Sequence, residues 1–520
     1  MEQQYARREF LKLAGLGLAG TLATGCRSLS KTVDNAPNEH PNILFISVDD
    51  LNNWIEPLGG HPQAKTPNLA RFSQQSVTFT NAFCSAPACN PSRTALMTGK
   101  APYLTGVYDN PQIWRQVLPK ETTLGQHFQA AGYWTARAGK IYHATMPDPQ
   151  SWNAHFPTPT NQMPPYYLPH RDKDTDPIEF KKMDNEIRES KPERLSFTMP
   201  DFKGRYMAFD FEPIPTDTED TGDYATADWV RKQLEQKHQK PFFMACGIYR
   251  PHLPWYVPKK YYDAFDLDSI QLPKILPTDL DDLPPAAKKV VIGKYHEQVT
   301  QAGLWKKAVQ GYLASIYYAD AMVGELLDAL SKSEYADNTI VVIFSDHGWQ
   351  LGEKQHWRKF GLWQNILNSV LMIKSPEAAP GLTQGSTNGV HCEANVSLED
   401  IFPTLTELCG IAKKKGISGT SLVAQLRDPT TKRDLPVISC FGEEHISVIK
   451  DHWHYILYDG KEEELYHMKK DPEEWTNLAN DTQYDAIKQT LKAMIPEHRH
   501  PKVPTEQVNW DEIIKGKLPY

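Results

Sequence analysis

The sequence predicts an α/β protein, a mostly parallel sheet flanked by helices, with a smaller C-terminal antiparallel sheet subdomain. Three observations carry this expectation. Short apolar runs rich in β-branched residues alternate with stretches of helical period. Two of those runs end directly in acidic or histidine pairs, Asp49-Asp50 and Asp346-His347. After about Pro429 the pattern changes to short strands separated by turn residues. With 520 residues, 40% of them hydrophobic, the chain has ample material for a large core.

In chain order, the strand-like runs are 42–48, 133–138, 242–247, 339–345 and 369–373. They are mostly apolar and enriched in β-branched residues, as strands covered on both faces should be. Helices are expected over 122–131, 224–237, 305–331 and 398–409. In the third, Tyr312, Ile316, Ala319, Val323 and Leu326 recur at helical spacing and read as a core stripe. Segments 147–221 and 266–298 carry proline, aromatic and charged residues without a sustained period, and read as loop-rich insertions that form lids or substrate walls. Runs at 446–450, 453–458 and 464–467, separated by Asp451-His452 and Asp459-Gly460, make the small antiparallel sheet. The expected organisation is a leader at 1–26, a main domain at 27–428 containing the 147–221 insertion, and a C-terminal α+β subdomain at 429–520.

A net charge of -8 gives no basic face, so nucleic-acid binding is not expected; an anionic substrate would need a local pocket of cations. Seven cysteines are too few for a disulfide scaffold, and their spacing lacks paired zinc-ligand motifs. One or two disulfides stay open. Arg7-Arg8-Glu9-Phe10-Leu11-Lys12 resembles a twin-arginine export signal, and the apolar stretch behind it is too short and glycine-rich to span a bilayer. Leu22-Ala23-Thr24-Gly25-Cys26 resembles a lipoprotein cleavage site, with Cys26 as the acylated residue. The expectation is an exported protein, periplasmic or lipid-anchored on the outer side of the inner membrane or at the cell surface.

The chemistry concentrates at Cys89-Asn90-Pro91-Ser92-Arg93, continued by Leu96-Met97-Thr98-Gly99. Asn90 can cap a helix, Pro91 suits a first turn and Gly99 can end it, which puts Cys89 at a helix N-terminus. Free N–H groups there favour an anion, and Arg93 adds a permanent charge. Asp49, Asp50, Asp346 and His347 fall just past buried strands, on the edge where open α/β sheets bind ligands. Three carboxylates suit a hard cation such as calcium or magnesium; His347 keeps manganese or zinc open on chemistry alone.

The Cys89 string resembles the signature of the type I sulfatase family, within the alkaline-phosphatase-like superfamily. That resemblance implies oxidation of Cys89 by a maturation enzyme to formylglycine, whose hydrate attacks sulfur beside one Ca2+ ion held by Asp49, Asp50, Asp346, His347 and the Cys89-derived group. Gly139-Lys140-Ile141-Tyr142-His143 resembles the family element in which Lys140 contacts sulfate and His143 assists the formylglycine. Tyr249-Arg250-Pro251-His252 resembles the segment whose histidine, here His252, protonates the leaving oxygen. Lys359, after Trp357-Arg358, matches the second sulfate-binding lysine, and Arg93 is expected on the sulfate oxygens. Asp346-His347-Gly348-Trp349 and Val107-Tyr108-Asp109 look most like the iduronate-2-sulfatase branch, which implies a sulfated saccharide, with 2-O-sulfated uronic acid a specific candidate. Trp114, Trp349 and His356 are candidate sugar contacts. Two other classes remain: a phosphatase or phosphodiesterase on the same architecture, which would use serine or threonine and generally two metals, and an inactive lipid-anchored polysaccharide-binding protein.

Overall fold

A run dominated by apolar residues, Ile43 to Ile46 and Val48, makes Asn42–Val48 (β1) a strand buried along its whole length. The computed structural model describes residues 40–143, 146–156, 209, 211–291 and 293–506. The expected leader with Cys26 and most of the 147–221 insertion lie outside the described residues. From edge to edge, the main sheet runs Val390–Cys392, Val77–Phe79, Leu371–Lys374, Thr339–Ser345, β1, Phe242–Ile248, Trp134–Gly139, Ala154–His155. Trp134–Gly139, Phe242–Ile248 and Thr339–Ser345 are β2, β3 and β4. Every neighbouring pair is parallel except those made by Leu371–Lys374, which opposes both its neighbours.

That strand departs from the expected parallel alternation. The chain leaving β4 stays at the carboxyl end of the sheet, folding into the hairpin of Gln350–Leu351 and Trp357–Arg358, and re-enters from that end. A parallel return needs a crossover over one face.

Successive residues of β1 point to opposite faces. Ile43 and Phe45 pack in a cluster with Leu96, Met97, Leu124, Phe128 and Phe402. Leu44, Ile46 and Val48 pack on the other face with Ala227, Val230 and Leu234 of the helix Gly222–Leu234, and with the 28-residue helix Trp305–Lys332. The stripe Tyr312, Ile316, Ala319, Val323 and Leu326 is buried there as expected, and Ile316, Val323 and Leu326 each contribute about 1.5–3 kcal/mol by leaving water. Helix Leu124–Ala130 begins with a capping box between Thr123 and Gln126. The 398–409 helix divides into a 3-10 turn, Leu398–Asp400, and a helix, Ile401–Leu408. Within the loop-rich 266–298 segment the chain forms Pro285–Val290 and enters Gly293–Gln301; Pro285, read as loop punctuation, opens the first of these helices.

The C-terminal sheet is antiparallel in the order Val437–Phe441, His445–Lys450, Trp453–Tyr458, Glu462–His467. Its first strand was not expected. One face carries Val437, Ile449, Ile456, Tyr458 and Tyr466 into the cluster that holds Ile43 and Phe45. The other face, with Val448, Tyr455 and Leu465, packs against Leu491. The core therefore runs without a break across position 429. Among the described residues, Cys84, Cys89, Cys246, Cys392, Cys409 and Cys440 are all free and buried.

Candidate active site

Four adjacent strands, β4, β1, β3 and β2, end side by side, and each is followed at once by functional side chains. Val48 is level with both Ser345 and Ile248, so Asp49-Asp50 and Asp346-His347 emerge at one height. Lys140 follows β2, and its amide donates to Gly247 O at 3.1 Å. A Cβ on Gly247 would lie 2.2 Å from the Lys140 carbonyl, so glycine is required for this approach. Tyr249-Arg250-Pro251-His252 follows β3; the Tyr249 and Arg250 amides donate to Asp223 at 2.7 and 3.1 Å.

The helix Cys89–Thr98 (α1) starts from extended Ala88 and ends at Gly99, whose φ is 71°. Cys89 therefore stands at its first position, and the cap is Ala88 where Asn90 was expected. The Asn90 amide instead donates to the carbonyls of Asp109 at 2.9 Å and Gln112 at 2.7 Å, bracing the 109–112 turn against the helix. Cys89 Sγ accepts from Lys359 Nζ at 2.9 Å and Lys140 Nζ at 3.6 Å, with His347 Nε2 at 3.5 Å and Asp50 Oδ1 at 3.8 Å. Burial, against the pull of Lys140 and Lys359, pushes the Cys89 thiol up to about 12. An unmodified Cys89 is therefore a thiol, a poor nucleophile.

Arg93 ties the strand ends together. Its Nε donates to Asp346 at 3.0 Å, its Nη2 to Asp49 at 2.7 Å, and its Nη1 to Ser47 Oγ and the carbonyls of Lys140 and Ile141. A guanidinium has five N–H bonds, so at most one is left for a ligand. Arg93 was expected on the sulfate oxygens; its contacts make it an orienting group for two carboxylates.

Asp49, Asp50, Cys89 and His252 bring ligand atoms within 4.8 Å of one another, and so do Asp50, Cys89, Asp346 and His347. Burial would raise Asp49, but Lys140 and Arg93 outweigh it and hold the carboxyl well below the usual range. Asp50 differs. Burial raises it, Lys359 at 2.5 Å only partly offsets this, and its buried Oδ2 has no hydrogen-bond partner. Such an orphaned oxygen fits a metal ligand. His347 is held below its ordinary value by burial, and its Nδ1 lies 2.9 Å from Gly348 O. Donation from Nδ1 leaves the Nε2 lone pair facing Asp50 and Cys89, the tautomer a metal requires. The residues present thus fit a hard divalent cation. His252 sits with Nδ1 2.6 Å from Leu253 O and Nε2 3.8 Å from Asp50 Oδ2; burial, then Lys140 and Lys359, keep it well below its ordinary value. Half-buried His143 is held well below its ordinary value by burial and then by Lys140 and Lys359.

A match to the sulfatase family model spans residues 41–411, and a second, to the N-sulphoglucosamine sulphohydrolase C-terminal model, spans 352–501. The chain belongs to the sulfatase family. It is a sulfuric ester hydrolase. Among similar proteins, a sulfatase of Formosa agariphila is 33% identical over 494 residues, covering 92% of this chain and 91% of that one. Iduronate 2-sulfatase of Mus musculus is 29% identical over 430 residues, covering 75% of this chain and 72% of that one. A solved 2-O GAG sulfatase superposes with a TM-score of 0.63 at 22% identity, covering 88% of this chain and 91% of that one.

In this sulfatase Cys89, Arg93, Lys140, His252, Lys359 and the four metal candidates gather in one charge cluster. Trp114, Trp349 and His356, the candidate sugar contacts, are fully buried, as Cys89 and Lys359 nearly are, and each has partners within the protein. Trp114 stacks on Tyr142 and donates to Met146 O; Trp349 stacks on Tyr312 beneath Lys359; His356 Nε2 lies 3.0 Å from Lys359 O. All three brace the site from behind. Sequence reasoning passed over Tyr312 as pure core, yet its hydroxyl donates to Asp50 O at 2.8 Å and accepts from Asn52 N at 3.0 Å. It also passed over Ser47 and Ser92, which anchor Arg93 and the Asp346 carbonyl. Ser92 stands inside the Cys89–Arg93 string, whereas no spacing signal marks Tyr312 or Ser47.

Proposed function

We propose that this sulfatase is an exported, calcium-dependent enzyme that hydrolyses the sulfate ester of a sulfated saccharide, specifically a 2-O-sulfated uronic acid of a polysaccharide-derived oligosaccharide. The observation that carries the reading is Cys89 Sγ at the start of α1, between Lys359, Lys140 and His347. Cys89 is converted by a maturation enzyme to formylglycine, whose hydrate supplies the attacking hydroxyl. Asp49, Asp50, Asp346 and His347 would hold the calcium ion, which would supply Lewis acidity toward the sulfate. Names of relatives support the substrate class: iduronate 2-sulfatase, and a 2-O GAG sulfatase among the solved structures. The twin-arginine and lipoprotein motifs support export and a lipid anchor on Cys26.

Lys140 and Lys359 bind the sulfate oxygens in a site already dry, where fixed charges act strongly on the developing negative charge. Arg93 keeps Asp49 and Asp346 aimed at the cation. Lys140 and Lys359 depress His252 before substrate arrives; an incoming sulfate counters both charges and restores the affinity of Nε2 for the proton it delivers to the leaving oxygen. His143 takes up the proton released at the Cys89-derived group as sulfate departs.

The test is desulfation of a panel of defined sulfated oligosaccharides by enzyme coexpressed with a maturation enzyme, with mass spectrometry of the Cys89 peptide. An aldehyde at residue 89 and preferential loss of a uronate 2-O-sulfate are expected, and Cys89→Ala should fold but not turn over. A fully active protein carrying an unmodified thiol would overturn the mechanism; preference for another sulfate position would overturn the substrate.

A further inference from the structure

Among the described residues, left-handed backbone outside glycine is confined to a few places. Among the described residues with positive φ other than glycine, Lys354 (52°), Gln355 (52°), Arg358 (77°) and Phe360 (77°) fall within one seven-residue stretch that also carries Lys359. Two more belong to groups touching that stretch: Asp50 (59°), whose carboxylate pairs with Lys359, and Glu474 (57°). Such conformations are costly for residues with a Cβ and persist only where surrounding contacts over-determine them.

Those contacts come from an unexpected direction. Lys354 is a fully enclosed cation, 3% exposed, whose Nζ donates to Asp279 Oδ1 at 2.8 Å and to the Glu474 carbonyl, over the rings of Trp363 and Tyr466. The Glu474 carboxylate accepts from the Gln364 amide at 2.8 Å and pairs with His454 Nδ1, while His454 Nε2 lies 2.7 Å from Ser447 Oγ. Ser447 and His454 belong to the C-terminal sheet. A chain of buried polar contacts therefore joins that sheet to Lys354, where the strained stretch begins, and to Gln364, four residues beyond its end. At its far end the Phe360 amide donates to Pro87 O, just before Cys89.

We propose that Lys354, gripped by Asp279 and Glu474, is a positioning residue: it holds the strained 354–360 segment so that Lys359 Nζ stays between Cys89 and Asp50. The C-terminal sheet thereby sets the reach of a sulfate-binding lysine at the carboxyl edge of the main sheet. This rests on the reading of Lys359 as a sulfate ligand, and the test separates the two.

The probe is inorganic sulfate, titrated calorimetrically into the matured, calcium-loaded enzyme, with near-UV circular dichroism verifying folding. Lys359→Met alone should weaken sulfate binding; unchanged binding there overturns the sulfate reading itself, and this proposal with it. Lys354→Met should weaken sulfate binding roughly 10-fold or more, the size of effect seen when an orienting partner is removed. Asp279→Asn, which keeps an acceptor oxygen, should act in the same direction with a smaller loss, and decides the matter if Lys354→Met does not fold. In the double variant Lys354→Met/Lys359→Met, binding should be no weaker than in Lys359→Met, because Lys354 acts only through Lys359. A merely structural role would subtract from both backgrounds alike. Wild-type sulfate affinity in the folded Lys354 or Asp279 variant, or losses that multiply in the double variant, would overturn the proposal.

Discussion

Three carboxylates and three cations meet at the strand ends without solvent: Asp49, Asp50 and Asp346 against Arg93, Lys140 and Lys359. Such a cluster is costly to assemble and more costly to break, because removing one partner leaves the other buried and unpaired. Arg93→Met should therefore destabilise the protein by about 3–5 kcal/mol, measured by urea unfolding; a loss under ~1 kcal/mol, the size of an exposed pair, would show that its contacts are not maintained in solution. Asp50 is the least compensated of the three, with one oxygen lacking any partner. Ligand binding to the native state alone raises stability by RT ln(1 + [L]/Kd), about 2.7 kcal/mol at a hundredfold excess over Kd. Calcium should accordingly raise the melting midpoint of the chelator-treated protein, more than magnesium does, and Asp50→Asn should abolish the shift. A calcium-induced shift that survives in Asp50→Asn would remove Asp50 from the metal site.

At the level of elements, the site depends on how closely β2 and β3 approach. Gly247→Ala would drive a Cβ into the Lys140 backbone, with contacts at 2.2 Å to its oxygen and 2.5 Å to its nitrogen. Displacing Lys140 by about 1 Å should lower kcat/KM by roughly 10²-fold, and undiminished turnover would show that β2 has room to shift. The helical turn before Ile401–Leu408 carries a different signal. Glu399 is pushed up to about 7 by burial, with Ser85 opposing and Asp400 adding to the rise. Its folded value lies above its unfolded one, so its contribution to stability is complete below about pH 4 and is lost as pH rises through 7. Glu399→Gln should gain on the wild type between about pH 5 and pH 8, by at most about 3 kcal/mol; parallel stability profiles would show Glu399 to be untitrated in that range. Elements of this kind differed in how legible they were. The strands β1 and β4 are readable to the residue because runs so rich in apolar side chains have no alternative to burial, and the residues following them form the candidate metal site. The reversed strand Leu371–Lys374 was not, since an apolar run fixes burial but not direction. The Lys354 clamp was not either: a lysine in a polar stretch reads as surface, and only tertiary contacts with Asp279 and Glu474, far away in sequence, reveal a buried pin.

Across the whole molecule, the C-terminal sheet behaves as part of one core. Val437, Ile449, Ile456, Tyr458 and Tyr466 fill the cluster that also holds the β1 side chains Ile43 and Phe45. Polar contacts cross the same boundary: Trp363 Nε1 donates to Glu464 at 3.0 Å, Ser439 Oγ to Cys84 O at 2.6 Å, and Cys440 N to Ser85 O at 2.9 Å. A chain ended after Asp428 would expose that apolar face and strip Lys354 of the Glu474 carbonyl, leaving a buried cation with Asp279 as its remaining hydrogen-bond acceptor. Each such loss is worth several kcal/mol, against a total stability of only about 5–15 kcal/mol. The truncated chain should therefore lose its near-UV ellipticity and bind a hydrophobic dye while keeping far-UV signal, the signature of secondary structure without fixed packing. A native near-UV spectrum from residues 40–428 alone would mean instead that the main sheet closes its own core, and that the contacts joining it to the C-terminal sheet serve the positioning of Lys359 without being needed for folding.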